Sequence, residues 1–277
     1  MTLAITGPTS GIGIETVKAL APKYEQIFLL ARNTDKARNL LAEFSAPDQY
    51  HKFQIIYCDL ADLASVCEAA KTILNKTKKL DLLINNAGGI VKNHKITKDG
   101  VENSFSLNHL GHFLLTQKLL PLLEASGKAR IINVSSEAHT MAKPVMEDLE
   151  GQRNFSSWRT YANVKLFNIL FTKSLAERYS GKNICAFAVH PGVVRTKFGS
   201  ELTGIISLAW KLISPFKISP KKGAKTSVFL ALNPDVTSKS GAYFKKSKVH
   251  SSSEDSHSKE LRNKLWEISE KLVKPWL

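Results

Sequence analysis

The chain has 277 residues, 43% hydrophobic and 23% charged, which is typical of a globular protein with a full core. Its three cysteines, Cys58, Cys67 and Cys185, have no C-x-x-C spacing, which argues against a disulfide framework or a structural zinc site. It has no run of eighteen apolar residues and no signal-peptide pattern. We therefore expect a cytoplasmic protein without a transmembrane anchor.

The net charge of +15 raises the question of nucleic acid or an anionic membrane as a partner. Residues 211–277 carry fourteen Lys or Arg against six Asp or Glu, a net +8. Their lysine clusters lack interleaved aromatic residues and match no nucleic-acid-binding motif. We expect a solvated basic surface that binds no nucleic acid, with a weak membrane-surface contact as the alternative.

Short, nearly continuous apolar runs alternate with helical patterns along the chain. Such runs are typical of parallel strands that are covered on both faces. The alternation predicts an α/β fold, a Rossmann-type doubly wound, mostly parallel seven-stranded sheet in a single domain over residues 1–277. The predicted strands are 2–6, 26–31, 52–57, 80–85, 129–134, 183–189 and, at an edge, 241–244.

The segments between these runs have the 3.6-residue period of helices. A serine-rich stretch near the end, SSSEDSHS at 251–258, is typical of a flexible segment. The predicted helices are 12–20, 34–44, 63–74, 101–123, 158–179 and a closing helix, 259–273.

A glycine-rich turn, TGPTSGIG at 6–13, follows the first predicted strand and opens a helix. Glycines at 7, 11 and 13 allow the backbone to approach a pyrophosphate, which the helix N-terminus then stabilises. The spacing differs from G-x-G-x-x-G, and glycines also form ordinary turns. The position after the first strand favours a dinucleotide site that includes Gly7, Ser10, Gly11, Ile12 and Gly13.

Arg32 stands at the end of the second strand, where NAD-binding proteins carry an acid for the ribose 2′-hydroxyl. A guanidinium suits a 2′-phosphate, and no carboxylate is there to repel it. The sequence therefore predicts NADP(H) over NAD(H). The alternative is an arginine that only caps the sheet edge.

Tyr161 and Lys165 lie four positions apart in RTYANVKLFNILF, so a helix stacks them on one face. The pair alone is more typical of an ordinary amphipathic helix. Its meaning depends on whether the rest of the chain builds a cofactor site.

The ordered motifs of the chain resemble those of the short-chain dehydrogenase/reductase family. They are TGPTSGIG, CDL at 58–60, NNAG at 85–88, Asn108, VSS at 134–136, Tyr161 with Lys165, and HPG at 190–192. Longer stretches such as SLNHLGHFLLT and SGAYFKK resemble the retinol-dehydrogenase-like branch. Membrane-bound members of that branch carry an N-terminal anchor, which we do not expect here.

The resemblance implies a catalytic set and a cofactor site. Tyr161 is the implied proton donor, with its pKa lowered by Lys165 and by an oxidised nicotinamide. Lys165 also binds the nicotinamide ribose, Ser136 bonds the substrate oxygen, and Asn108 holds a water that relays protons. The remaining implied cofactor contacts are Asp59 and Leu60, Asn86, Ala87 and Gly88, and Pro191, Gly192, Val193 and Thr196.

Several of these residues have other readings. Ser135 competes with Ser136, although the second serine of VSS is the active one in this branch. Asn108 and Thr196 are also typical helix-start residues. His109 and His112 are spaced like a metal pair, but no third ligand accompanies them, so we predict structural histidines and metal-free chemistry.

The substrate is indicated only by a lid segment of about residues 196–220, which contains the apolar ELTGIISLAWKLISPF. It favours a small lipophilic carbonyl or alcohol substrate, while plain helix packing, a membrane contact or a dimer contact are alternatives. A homodimer through the helices at 101–124 and 158–179 is a further expectation. A non-catalytic NADP-binding sensor or scaffold and a C=C reductase remain the alternative functions.

Overall fold

A single sheet of eight strands forms the centre of the molecule. A computed structural model describes residues 1–9, 11–149, 155–194 and 217–277. The strand order is β3-β2-β1-β4-β5-β6-β7-β8, and only the β7–β8 pair is antiparallel. The strands are β1 Thr2–Thr6, β2 Gln26–Ala31, β3 Phe53–Tyr57, β4 Leu82–Asn85, β5 Ala129–Val134, β6 Ile184–His190, β7 Tyr243–Lys245 and β8 Lys248–Val249.

The winding direction of the sheet reverses between β1 and β4. The chain builds β1, β2 and β3 outward and then returns to place β4 on the other side of β1, so that Ile5 lies beside both Leu29 and Ile84. Connections after β1 and β4 then run in opposite directions and leave a crevice at the carboxyl ends of the strands. This crevice holds the candidate site.

Helices cover both faces of the sheet. Alternation along β1 sends Leu3 and Ile5 to one apolar cluster and Ala4 to the other, and all three are fully buried. The described helices are α1 Gly11–Leu20, α2 Thr34–Phe44, α3 Leu63–Lys76, α4 Asn103–Phe105, α5 Gly111–Ser126, α6 Ser157–Arg178, α7 Pro220–Leu232 and α8 Lys259–Val273, with a π-helical turn at Ser106–Leu110.

The α/β class and the doubly wound, mostly parallel sheet are confirmed, with two local differences. The sheet has an eighth strand, because the chain turns back after β7 and pairs Lys245 with Lys248. The stretch 251–258 is also not the irregular segment that its composition indicates. It contains a 3₁₀ helix, Glu254–His257, in which Ser256 is buried.

The closing helix α8 packs against α5 and α6, the helices that the homodimer prediction uses. Trp266 contacts the rings of Phe113 and Phe171, and the guanidinium of Arg178 lies 4.2 Å from its ring centroid. A dimer formed through this face would have to accommodate or displace α8. The homodimer therefore stays a prediction.

No helix among the residues described is long and apolar enough to cross a membrane.

His109 and His112 occupy the buried layer between the sheet and the C-terminal helix, with separate partners. His109 Nε2 lies 2.9 Å from Ser269 Oγ, and His112 Nε2 lies 2.9 Å from Thr6 Oγ1. Burial lowers the pKa of each ring to about 3. No group of three or more metal-binding side chains occurs in the described ranges.

Acid should therefore destabilise the fold through these rings. Unfolding restores a pKa near 6.5, so the unfolded chain binds protons that the native chain does not, and stability falls as the pH falls from 6.5 towards 3. For His109 alone we expect a loss of about 2 kcal/mol between pH 7 and pH 5. In urea unfolding at pH 7 and pH 5, His109→Gln should lack this acid-induced loss of about 2 kcal/mol in unfolding free energy. His51→Gln, at an exposed position, should show the full loss of the unmodified protein. An equal acid loss in both variants would contradict the assignment.

Candidate active site

The glycine-rich turn joins β1 to α1 with close backbone contacts. Gly7 has φ +63° and Gly11 has φ +52°, a region that favours glycine. A Cβ on Gly13 would lie 2.0 Å from the carbonyl oxygen of Gly7. The turn therefore brings the first turn of α1 directly against the end of β1, and Ser10 lies outside the described residues.

Thr6 fastens this turn to the neighbouring strand end. Its Oγ1 accepts hydrogen bonds from the main-chain N–H groups of Asn86 and Ala87, both at 3.0 Å. The Asn86 side chain in turn donates to the carbonyl oxygens of Thr6 at 2.9 Å and Gly7 at 3.0 Å. The side-chain amide of Asn86 thus holds the glycine turn itself, although the family resemblance places it at the adenosine ribose.

A first cavity, here called the Arg32 cavity, has a volume of about 430 Å³ and lies over the ends of β1, β2 and β3. Two cations line it, the predicted Arg32 and Lys36, which the sequence analysis missed. Both are exposed, and among the described lining residues the only carboxylate is that of Asp59. The lining residues are Thr6, Gly7, Thr9, Leu30, Ala31, Arg32, Asn33, Lys36, Cys58, Asp59, Leu60, Ala87, Gly88, Gly89 and Leu107.

A second cavity, the Tyr161 cavity, has a volume of about 370 Å³ and lies over the ends of β4, β5 and β6. Gly88 lines both cavities, so they meet at the crevice between β1 and β4. The lining residues are Ile12, Asn86, Gly88, Val134, Ser135, Ser136, Glu137, Ala138, Thr140, Met141, Trp158, Tyr161, Lys165, His190, Pro191, Gly192, Val193 and Val194.

Tyr161 and Lys165 come from the first turns of α6 and are both buried, with exposed fractions of 5% and 3%. The Lys165 Nζ atom donates to the carbonyl oxygen of Val134 at 3.1 Å and lies 5.4 Å from the centroid of the Tyr161 ring. Asn168 donates to the same carbonyl oxygen, also at 3.1 Å. The end of β5 therefore fixes the lysine beside the tyrosine.

Burial controls the proton affinities of this pair. It lowers the pKa of Lys165 to about 8. It raises the pKa of Tyr161 above its ordinary value, although the hydrogen bond with Ser136 acts in the opposite direction and lowers the pKa of Tyr161. In the protein alone the shift of Tyr161 is opposite to the expected one, because desolvation of the phenolate outweighs the polar neighbours.

The two serines of VSS have different surroundings. Ser135 Oγ donates to the main-chain carbonyl oxygen of Lys165 at 2.6 Å and is buried. Ser136 lines the Tyr161 cavity and hydrogen-bonds with Tyr161. The structure thus brings Ser136 to the tyrosine and uses Ser135 to attach α6 to β5.

Asn108 lies in the π-helical turn and is fully buried. Its side-chain oxygen accepts from the main-chain N–H of Gly89 at 2.9 Å, and its amide donates to the carbonyl oxygens of Gly89 and Ser104. A Cβ on Gly88 would lie 2.4 Å from that side-chain oxygen and 3.5 Å from Lys165 Nζ. Asn108 is therefore next to Lys165, with its side chain bound to the loop between them.

The remaining predicted cofactor contacts follow β6. Pro191, Gly192 and Val193 line the Tyr161 cavity, and the carbonyl oxygen of Val193 accepts from the N–H of Ile218 at 2.8 Å. Thr196 lies outside the described residues, as does the proposed lid up to residue 216.

The family model of the short chain dehydrogenases matches residues 1–204. This chain belongs to that family.

Its relatives place it in the retinol-dehydrogenase-like branch. Retinol dehydrogenase 12 of Mus musculus is 38% identical over 271 residues, which are 98% of this chain and 85% of the relative. Retinol dehydrogenase 13 of Homo sapiens is 36% identical and covers 98% of this chain and 84% of the relative.

Solved structures share the fold. A crystal structure of an uncharacterized protein from Mycobacterium Paratuberculosis has a TM-score of 0.78 at 28% identity and covers 99% of this chain and 93% of its own. The NADPH-bound carbonyl reductase from chicken fatty liver has a TM-score of 0.69 at 24% identity, and the match covers 91% of this chain and 98% of the reductase chain. At this identity the similarity is one of fold alone.

As a short-chain dehydrogenase, the chain is an oxidoreductase that uses a nicotinamide cofactor. Three residues of the candidate site, Thr6, Lys36 and Asn168, had no role assigned to them from the sequence. Each had a weak signal in the sequence. Thr6 directly precedes Gly7, Lys36 lies four residues after Arg32, and Asn168 shares the helix face of Lys165.

Proposed function

We propose that the protein is an NADP(H)-dependent oxidoreductase that interconverts a lipophilic carbonyl compound and its alcohol. The observation that carries the proposal is the buried Tyr161–Lys165 pair, which shares a largely apolar cavity with Ser136 and joins the Arg32 cavity at Gly88. The arrangement offers a proton donor, an oxygen-binding hydroxyl and a phosphate-binding region within one groove.

The residues present fit a dinucleotide. Gly13 packs against Gly7 without room for a side chain, which holds the N-terminus of α1 at the groove, and two cations lie among the described lining residues of the Arg32 cavity. Asp59, Leu60, Ala87 and Gly88 would hold the adenosine part, and Pro191 to Val193 the nicotinamide part. The chemistry that this cofactor supplies when bound is hydride transfer at nicotinamide C4.

The side chains of the Tyr161 cavity handle the proton. In the direction of reduction the Tyr161 hydroxyl donates a proton to the substrate oxygen, which also accepts a hydrogen bond from Ser136. The Lys165 ammonium beside the ring favours the phenolate that results. Because burial raises the pKa of Tyr161, the phenol form that donates this proton is present at neutral pH.

The preference for NADP(H) rests on Arg32 and Lys36. The described lining of this cavity has two cations and a single carboxylate, Asp59, which favours a 2′-phosphate over a 2′-hydroxyl. We expect Arg32→Ala to weaken NADPH binding by about ten- to one-hundred-fold while NADH binding changes by less than about threefold. Fluorescence titration of both cofactors measures this.

Lys36→Ala should give a smaller loss in the same direction. Arg38→Ala is the matched control, because Arg38 pairs with Asp35 on α2 and does not line the cavity. Equal or tighter binding of NADH by the unmodified protein would refute the NADP assignment.

The lining of the Tyr161 cavity supports a lipophilic substrate. Trp158, Met141, Val134 and Val194 line it beside Ser136. An NADPH-oxidation screen with nonanal, benzaldehyde and citral tests aliphatic, aromatic and isoprenoid carbonyls. Turnover of at least one probe is expected, with the larger kcat/KM for nonanal or citral than for benzaldehyde.

Citral also tests the alternative C=C reductase. Its carbonyl reduction gives an allylic alcohol, whereas reduction of its conjugated double bond gives a saturated aldehyde, and mass and NMR analysis of the product separates the two. Binding of NADPH without turnover of any probe would favour the sensor or scaffold instead. We also propose a cytoplasmic location, which fractionation of cells expressing the chain would test.

A further inference from the structure

The turn that carries Ser136 is held by two histidines on its main chain. His139, one turn later in the 3₁₀ helix Glu137–Met141, has its Nδ1 atom 2.7 Å from the carbonyl oxygen of Ser136. The N–H of Glu137 donates to His190 Nδ1 at 3.1 Å. Both contacts are made to one peptide group, the one between Ser136 and Glu137, whose carbonyl oxygen and N–H are thus held by two imidazole rings.

A hydrogen bond from the C-terminal part of the chain sets the tautomer of His139. The main-chain N–H of Ser253 points at His139 Nε2 over 3.0 Å, and a main-chain N–H can only donate. His139 Nε2 therefore has no proton, and in the neutral ring the proton is on Nδ1 and is donated to Ser136. Burial lowers the pKa of His139, which favours the neutral ring.

The segment that supplies this N–H is ordered by its own serines. Ser256 Oγ donates to the carbonyl oxygen of Ser253 at 2.6 Å and lies 2.5 Å from Ser252 Oγ. The His139 ring also packs edge-on against Tyr243, with 4.9 Å between the ring centroids. The serine-rich composition that resembles a flexible stretch thus forms a hydrogen-bonded support behind His139.

We propose that His139 and the main-chain N–H of Ser253 are positioning groups for Ser136, so that the segment 250–258 is part of the active-site scaffold. Neither group lines the Tyr161 cavity; they act through the carbonyl of Ser136, whose hydroxyl faces Tyr161. The inference rests on the proposed role of Ser136 in binding the substrate oxygen.

Two substitutions at position 253 separate the contribution of the main-chain N–H from that of the serine side chain. Ser253 has φ −57°, which proline adopts without strain, so Ser253→Pro removes the donor and keeps the local backbone. Ser253→Ala keeps the donor and removes a hydroxyl that has no hydrogen-bond partner among the described residues. We expect kcat to fall about ten- to one-hundred-fold in Ser253→Pro and less than twofold in Ser253→Ala.

A second pair separates the two bonds of His139. His139→Asn keeps a donor near the Nδ1 position for Ser136. His139→Phe keeps the ring packing against Tyr243 and removes both imidazole bonds, and it leaves only the main-chain N–H of residue 139 on the Ser136 carbonyl oxygen, at 3.1 Å. His139→Phe should lose as much kcat as Ser253→Pro, and His139→Asn should recover at least part of it. The KM of the probe and the dissociation constant of NADPH should stay within about twofold, because no residue that lines either cavity is replaced.

Spectroscopy tests the arrangement without turnover. ¹⁵N chemical shifts of the imidazole should show the proton of His139 on Nδ1 in the unmodified protein. The amide signals of Ser136 and Glu137 should shift in Ser253→Pro and stay in place in Ser253→Ala. A proton on Nε2, or unmoved amide signals in Ser253→Pro, would overturn the proposal even if no probe is reduced.

Kinetics can overturn it separately. Equal kcat in the proline and alanine variants, or a parallel loss of NADPH affinity in every variant, would show that the segment has only a general structural role. Failure of the proposed function has a different signature, since no probe would then be turned over although the tautomer and the amide shifts follow expectation.

Discussion

Replacing Tyr161 by phenylalanine should lower kcat for carbonyl reduction by about 10²- to 10⁴-fold, the usual contribution of a positioned general acid. The ring is buried in α6 and the substitution removes only its hydroxyl, so the packing and the cofactor cavity should persist. We expect NADPH affinity within about threefold of the unmodified protein. Stopped-flow or steady-state assays with a reducible probe, together with NADPH titration, measure both quantities.

Tyr179→Phe is the matched control for this experiment. It removes a tyrosine hydroxyl at the other end of α6, where Tyr179 hydrogen-bonds with Gln117 and lines neither cavity. Its kcat should stay within about twofold. Full cellular activity of Tyr161→Phe would contradict the proton-donor role and revive the sensor or scaffold function.

The sheet could be predicted from the sequence because its strands are buried on both faces. Continuous apolar runs such as TLAIT and ARIINV mark β1 and β5 to the residue. The closing helix has a strong amphipathic period and also begins and ends where the pattern predicts, at Lys259 and Val273. Strand β8 consists of two residues, both exposed, so the sequence has no alternation of buried and exposed positions that could predict it.

The parts of the site that escaped prediction depend on contacts between distant residues. The bond from Ser253 to His139 joins positions 114 residues apart, and Thr6 binds the Asn86 N–H 80 residues away. Amino-acid composition gives a wrong prediction of flexibility where such hydrogen bonds order the chain, because a serine-rich stretch is flexible only if its polar groups lack partners. Local motifs predict the residues that carry out the chemistry of a site better than they predict the residues that hold those groups in place.

Gly13→Ala should have the largest effect on cofactor binding. A glycine-to-alanine change inside a helix usually stabilises by about 0.5–1 kcal/mol, because alanine loses less backbone entropy. Here the new Cβ would lie 2.0 Å from the carbonyl oxygen of Gly7 and 2.8 Å from Asn86 Nδ2, so α1 must move away from β1. We expect the free energy of unfolding to fall by about 3 kcal/mol and NADPH binding to weaken at least about one-hundred-fold.

The loss of stability expected here is opposite in sign to the usual gain from a glycine-to-alanine change in a helix, so the sign of the measured change decides between the two. Gly181→Ala is the control, because a Cβ there meets no atom within 4 Å, and it should leave both urea unfolding and NADPH titration close to those of the unmodified protein. A Gly13→Ala variant that is as stable as the control and binds NADPH normally would show that α1 can move without cost. The glycine turn would then be an ordinary loop, and its contact between Gly7 and Gly13 would not be what shapes the phosphate site.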